Sequence, residues 1–333
     1  MGARAQALMK SATVWDNHGC LPVRADLTFL PQLERYRRSG VNVVSLNVGF
    51  ADVSWSDHLR VLSFMRRWVS LHADSYRLVS TVEEINCCKR DGKLGVVFDV
   101  EGMCPAIQNL SLVQTFYELG VRWMLIAYNR SNAAGGGCLD ADGGLTTVGR
   151  EIIDEMERVG MVLCLSHTGG ITAHEALDYA RNPAIFSHSN PYGDTAHPRN
   201  VSDDLIKHCA KKGGVVGLSG LGPFLGTAEN LVGKLLKQVR YVIDLVGAEH
   251  VGIGLDYVFD RTEMDEYVRA NPTIFPNTLN LTGSISMVEP ESIGEIAEGL
   301  AHDNLSDAQI RGVLGENWLR IAEQVWRPAP KSA

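Results

Sequence analysis

The sequence predicts a (β/α)8 barrel, on three observations. Eight short apolar runs, rich in Val, Ile and Leu and lacking polar alternation, recur along the 333 residues, as strands buried on both faces of a parallel sheet do. Segments with helical periodicity separate them. Six of the eight runs end in a side chain able to bind a metal, carry a proton or polarise a carbonyl, and strand C-termini are where such a barrel gathers its active site.

The runs are Thr13–His18, Val41–Val48, Leu94–Val100, Trp123–Tyr128, Met161–His167, Ala184–His188, Gly214–Ser219 and Val251–Asp256. Among the intervening helices, Thr147–Val159 carries apolar residues at helical spacing and stops at Gly160. A second opens at Ser202 and closes before Gly213-Gly214, again a polar start and a glycine stop. Thr227–Val246 is long and amphipathic, and Ser306–Val325 reads as a C-terminal helical segment. Residues 260–291, with three prolines and several Asn and Thr, are expected as a long loop over the barrel mouth after the eighth strand. No linker or solenoid repeat interrupts the pattern, so residues 1–333 are expected to form one barrel domain.

Composition narrows the function. Hydrophobic residues make up 45% and charged residues 21%, with 31 Lys and Arg against 39 Asp and Glu, for a net charge of −8. That balance, without a basic cluster, argues against nucleic acid and anionic membranes as partners. The first fourteen residues lack the apolar core of a signal peptide, and no run approaches the length of a membrane span. Seven cysteines, an odd number without framework spacing, fit a reducing compartment. A cytoplasmic location is the expectation. Neither a P-loop nor a G-x-S-x-G elbow occurs, and Gly252-Ile253-Gly254-Leu255-Asp256 lacks the third glycine of a dinucleotide fingerprint.

The strand-end residues supply the candidate chemistry. His18 and Cys20 are two apart, so an extended chain turns both to one face, with Asp16 one layer deeper. Imidazole and thiolate both ligate Zn²⁺, although an isolated H-x-C is more often a core histidine beside an inert cysteine. Glu101 follows Val97-Phe98-Asp99-Val100, a poor place for a charge unless it is paired or coordinated. His167 and His188 each cap an apolar run. Singly, each of these reads as structural; four on separate strands converge on a metal centre. Arg199, in His197-Pro198-Arg199-Asn200-Val201, is suited to clamping a carboxylate, with an exposed loop arginine as the alternative. Asp256 stands where an acid–base group would act, and Tyr128 ends the fourth run.

Several blocks, in order, resemble the membrane (renal) dipeptidase family of zinc metallopeptidases, within the amidohydrolase-like barrels. Asp16-Asn17-His18-Gly19-Cys20-Leu21-Pro22 stands where the family has D-x-H-x-D-L-P, and Phe98-Asp99-Val100-Glu101-Gly102 matches its glutamate motif. Gly144–Arg150, Gly160-Met161, Leu165-Ser166-His167, Ile185–Ser189, Arg199-Asn200-Val201 and Leu314–Arg320 continue the likeness. The resemblance implies a hydrolase that cleaves a dipeptide with water activated by two Zn²⁺ ions. His18 and Cys20 would serve one ion, Glu101 would bridge, and His167 and His188 would hold the second. Asp256 would shuttle the proton and Arg199 would bind the substrate's terminal carboxylate.

Three positions depart from the family pattern. Cys20 replaces the aspartate of H-x-D; sulfur is softer and its bond to zinc longer, which leaves one ion on Glu101, His167 and His188 as the alternative to two. Tyr128 stands where many members carry a histidine that polarises the carbonyl, and a phenol donates one hydrogen bond without becoming cationic near neutral pH. Cys164 replaces the aspartate of D-L-S-H, and its strand parity turns it from the mouth. Two further readings stay open: an amidohydrolase for another small carboxylate-bearing amide, and a barrel that has lost turnover and survives as a binding or scaffold protein. Family members often form homodimers; the sequence itself shows no interface.

Overall fold

The computed structural model describes all residues except 23, 25, 27, 52, 284 and 328–333. Among the described residues, ten parallel strands form one sheet: β1 Trp15–Cys20, β2 Val43–Phe50, β3 Tyr76–Leu78, β4 Leu94–Glu101, β5 Val121–Leu125, β6 Val162–Cys164, β7 Ile185–Phe186, β8 Val215–Leu218, β9 Val251–Ile253 and β10 Tyr257–Val258. The order β1-β2-β4-β5-β6-β7-β8-β9 closes on itself through Asp16 of β1 against Ile253 of β9. Helices lie between successive strands, so this is the (β/α)8 barrel the sequence predicts. Every expected run supplies one barrel strand. The later strands, β5 to β9, are shorter than their runs, because the last residues of those runs leave the ladder to form the mouth.

Burial explains the continuous apolar runs. All eight residues of β2 and all eight of β4 are buried, lined by the barrel interior on one face and helices on the other. Expected helices also appear. The helix Thr147–Val159 is capped by Thr146, which accepts from the Gly149 amide, and ends at Gly160 with φ 92°, the left-handed conformation glycine adopts without strain. Ser202 caps Asp203–Lys211 in the same way, accepting from the Leu205 amide.

Three features differ from expectation. β10 had no counterpart among the expected runs and pairs with Gly19 and Cys20 of β1. Nor had β3. It pairs with Leu94–Val96 of β4, on the edge whose later residues, Phe98–Val100, pair with β5. The 260–291 segment is not one long loop: Arg261–Ala270 is a helix whose N-terminus is capped by Asp260, followed by short 3-10 turns. Its only buried residue is Val268, so it lacks the apolar stripe that marks the other helices.

The C-terminal block seals the bottom of the barrel. Asn317 Nδ2 donates to the carbonyls of Ala248 and Val251, and Trp318 Nε1 donates to that of Ile253. The indole fits only because its neighbour is glycine: a Cβ on Gly252 would lie 2.5 Å from the Trp318 ring. Leu314–Arg320, a block of the family likeness, thus acts far from the mouth, by completing the hydrogen bonds of β9. Trp318→Ala is expected to cost about 3–5 kcal/mol of unfolding free energy, measured by urea denaturation. Metal uptake by the folded variant should match that of the unaltered chain; impaired uptake would contradict a purely structural role.

Candidate metal centre

The mouth is built where the ladder breaks. The β1–β2 register slips between Asp16 and Gly19, and the β2–β4 register slips between Asn47 and Phe50. Such bulges re-aim side chains next to active sites. Six described non-glycine residues have positive φ, and four of them lie at the mouth: Ala51 directly after β2, Asn129 directly after the fourth expected run, and His167 and Asp256 at the ends of theirs. Backbone in this sparsely populated region is held only where its surroundings demand it.

Three imidazoles converge on one carboxylate oxygen. Glu101 Oε1 lies 3.3 Å from His188 Nε2, 3.4 Å from His167 Nε2 and 3.6 Å from His18 Nε2. His167 Nε2 and His188 Nε2 are 2.9 Å apart, and the His18 and His188 rings stack at 4.0 Å. Glu101 Oε2 accepts from Asn47 Nδ2 at 2.6 Å, whereas the buried Oε1 has no hydrogen-bond partner. Asp256 Oδ1 is 3.5 Å from His18 Nε2, and Asp99 Oδ2 is 3.5 Å from His18 Nδ1.

Burial sets the protonation. His167 and His188 are pushed well below the ordinary histidine range, by burial first and then by the cationic Arg199 and His18 nearby, so both rings are neutral near pH 7. Burial works against charge on His18 too, but Glu101, Asp99 and Asp256 outweigh it and carry its pKa to about 10. Burial raises Glu101 to about 7 and Asp99 to about 6, His18 partly opposing. Asp256 is raised by the same cause.

These residues fit a divalent cation. The orphaned Oε1 and the Nε2 atoms of His18 and His188 form a set with ligand atoms within 4.8 Å of one another, and His167 Nε2 closes on the same oxygen. An imidazole and carboxylate donor set suits zinc. Cys20 is not in that set; half-buried, it lines the wall beside it. Burial, then the carboxylates Asp256, Glu101 and Asp99, hold its thiol well above the usual range.

The remaining candidates line one cavity above the centre, with about 440 Å³ of empty space. Tyr128 stacks on His167 at 4.1 Å between ring centroids. Arg199 is 3% exposed, lies over the Phe224 ring at 5.4 Å, and its Nη2 has no hydrogen-bond partner. No carboxylate among the described residues lies within salt-bridge distance of it; Asp256, on the same cavity wall, feels its charge from farther off. Leu221, Phe224, Phe275, Leu281 and Ile285 supply apolar walls. A second space, about 750 Å³, adjoins it and shares Cys20, Val258 and Met264.

Sequence reasoning missed the residues that orient these groups. Asn47 holds Glu101, Asp99 faces His18, Asn129 Oδ1 meets His167 Nδ1 at 2.8 Å, and Ser187 Oγ meets His188 Nδ1 at 2.8 Å. Asp99 carried a readable signal: it is two residues before Glu101 and shares its face.

The parallel barrel thus gathers a cluster of histidine and carboxylate side chains, residue types that can hold a metal ion, at its C-terminal mouth. Residues 3–266 match the profile of the membrane dipeptidase family, peptidase family M19, and the chain belongs to that family. The Leu314–Arg320 block lies outside the matched span. An uncharacterized dipeptidase of Schizosaccharomyces pombe is 29% identical over 274 residues, covering 80% of this chain and 61% of that one. The dipeptidase verJ of Clonostachys rogersoniana is 28% identical over 80% of this chain and 64% of its own. The alignments therefore span about three fifths of those relatives' length. Among solved structures, an amidohydrolase from Pseudomonas aeruginosa superposes with a TM-score of 0.87 at 27% identity, over 97% of this chain and 99% of that one. A Rhodobacter sphaeroides metallopeptidase, liganded with a phosphinate mimic of L-Ala-D-Ala, shares the fold at a TM-score of 0.77 and 18% identity, over 95% and 99%. No helix among the described residues is long and apolar enough to cross a membrane.

The raised Glu101 carboxyl gives a test of the charge balance. A raised folded-state pKa contributes stability that is full below the unfolded value of about 4.5 and lost as pH rises through about 7. The depressed histidines act in the opposite sense, but equally in both proteins of a comparison. Chelator-treated wild type should therefore lose thermal stability relative to Glu101→Gln between those pH values, and Zn²⁺ at neutral pH should restore the wild type more than the variant. A melting-temperature gap independent of pH would refute this.

Proposed function

We propose that this chain hydrolyses a small amide bearing a free carboxylate, in the simplest case a dipeptide, with one tightly held zinc ion. The observation that carries the reading is the convergence of three imidazole Nε2 atoms on the partnerless Glu101 Oε1, beside the buried guanidinium of Arg199 with its partnerless Nη2. One ion is favoured over two because Asn47 occupies Glu101 Oε2 and Cys20 lies outside the ligand set. When bound, zinc polarises a carbonyl and lowers the pKa of water.

The chain's own residues account for the rest. Arg199 takes the substrate carboxylate as a bidentate partner, which fixes the C-terminal end. The apolar walls exclude water and strengthen that contact. Tyr128, stacked on His167, offers its hydroxyl as one donor toward the substrate carbonyl. Asp256 receives a proton at its carboxylate and returns it to the leaving amine, a role suited to a carboxyl whose pKa burial has raised. The relatives' names as dipeptidases support the peptide reading. The amidohydrolase name of the P. aeruginosa structure fits the wider amide class.

Metal analysis of protein purified without chelator checks the ion count. About one zinc per chain with hydrolysis supports the reading, and Cys20→Asp should raise the content toward two. No tightly bound metal and no hydrolysis across a dipeptide panel, after zinc is restored, would defeat it. Arg199→Met should lower kcat/KM for a dipeptide by roughly 10- to 150-fold, the worth of a hydrogen bond to a charged group. It should leave the rate on the C-terminally amidated dipeptide almost unchanged. Equal losses on both substrates would remove Arg199 from the carboxylate site.

A further inference from the structure

We infer that Asn129 is a positioning residue that fixes His167 in the tautomer with Nε2 bare for the metal, and that the segment at the mouth holds Asn129 in the orientation this requires. The inference rests on His167 serving as a metal ligand.

The hydrogen bonds leave one assignment. The carbonyl oxygen of Ile274 can only accept, and it lies 3.2 Å from Asn129 Nδ2. The amide nitrogen therefore faces Ile274, and Oδ1 faces the ring of His167, 2.8 Å from Nδ1. An amide oxygen can only accept, so Nδ1 carries the proton. In a neutral imidazole the other nitrogen, Nε2, is then an unprotonated lone pair, aimed at Glu101 Oε1 and His188 Nε2. His188 has no such lock: its Nδ1 meets the Ser187 hydroxyl, which donates or accepts by rotation.

Asn129 is itself tightly placed. It is 1% exposed, with φ 59°, a conformation asparagine tolerates better than most residues. Its carbonyl accepts from the Leu139 amide, and a Cβ on Gly137 would come within 2.3 Å of that oxygen. The next residue repeats the tie to the mouth, with Arg130 Nε donating to the Thr273 carbonyl at 2.6 Å. The segment that carries Thr273 and Ile274 also brings Phe275 to the cavity wall and is anchored through the same turn that sets the ligand. Its position and the tautomer of His167 are thus one hydrogen-bond chain: Ile274 carbonyl, Asn129 amide, His167 ring.

Two variants test this in the full chain. Asn129→Gly deletes the amide while accepting the positive φ, and Asn129→Asp keeps an acceptor oxygen opposite Nδ1. The first readout is the long-range ¹H–¹⁵N spectrum of the histidine rings in chelator-treated protein, with His167 assigned by difference against His167→Gln. The second is Zn²⁺ affinity by competition with a chromogenic chelator. Wild type should show His167 protonated at Nδ1. Asn129→Gly should lose that signature and bind zinc about 10- to 100-fold more weakly, and Asn129→Asp, which keeps the acceptor for Nδ1 but loses the donor to Ile274, should recover the Nδ1 signature. An Nε2-protonated His167 in wild type, or an Asn129→Gly variant that keeps the Nδ1 signature and zinc affinity within about twofold, would overturn the inference. A wild type that takes up no zinc would defeat the hydrolase reading instead, and the metal-free spectrum would still decide this one.

Discussion

Three carboxylates, Glu101, Asp99 and Asp256, share the buried mouth of the barrel with the His18 imidazole, and much of the surrounding structure follows from placing them there. A buried carboxylate without compensation either takes a proton or recruits a cation. The upward shift of all three and the cationic His18 between them are complementary responses to one shortage of positive charge, while burial and the neighbouring cations keep the two histidines opposite neutral. The barrel accepts this cost because its rigid strands hold the groups from separate directions, where no single loop could keep them apart or together. Arg199 is a buried cation on the wall of the same cavity, attracting Asp256 across it but with no carboxylate at salt-bridge distance among the described residues.

The strand ends show how the fold meets the constraint. A regular ladder would carry Asn17 and His18 past the mouth in strict alternation; the slip between Asp16 and Gly19 alters their aim against β2. Asp16 Oδ1 accepts from the Leu255 amide at 2.7 Å, which ties the closing seam of the barrel to the turn that presents Asp256. The seam therefore does two jobs, closing the sheet and setting the position of the Asp256 carboxylate. Farther down, Trp318 and Asn317 complete the hydrogen bonds of β9 from below, so the strand that ends at the site is held at both ends.

Much of this was legible in the residues. Continuous Val, Ile and Leu runs signal strands buried on both faces whatever their neighbours, and chemistry collects at their ends because the fold puts it there. β3 was missed because three residues, Tyr76-Arg77-Leu78, carry too little pattern to separate from a loop. Arg261–Ala270 was missed because a helix lying on the surface over a cavity need bury almost nothing on its own account. Asn47, Asn129 and Ser187 were missed for a different reason. Each matters through a partner 54, 38 or 1 residues away in sequence, and an amide or hydroxyl looks the same whether it caps a turn or orients a ligand. Asp99 is the exception, since its parity with Glu101 places it on the interior face without knowledge of any contact.

Cys20 is best understood through the same charge balance. The family's aspartate at this position would add a fourth carboxylate to a mouth that already holds three. A thiol adds nothing until it ionises, and here burial and the three carboxylates together oppose ionisation. Replacing carboxyl by thiol thus removes one negative charge from the site at neutral pH, unless a metal draws the proton off. Fewer anions call for fewer cations, which is why the substitution, the occupied Oε2 of Glu101 and the single proposed zinc ion belong to one account. On that account the substitution tunes the centre and need not abolish it. The three imidazoles, the free Oε1 and the buried Arg199 are placed by other elements than position 20, and Cys20 is left on the wall shared by both cavities, where its size and softness bear on what the site admits.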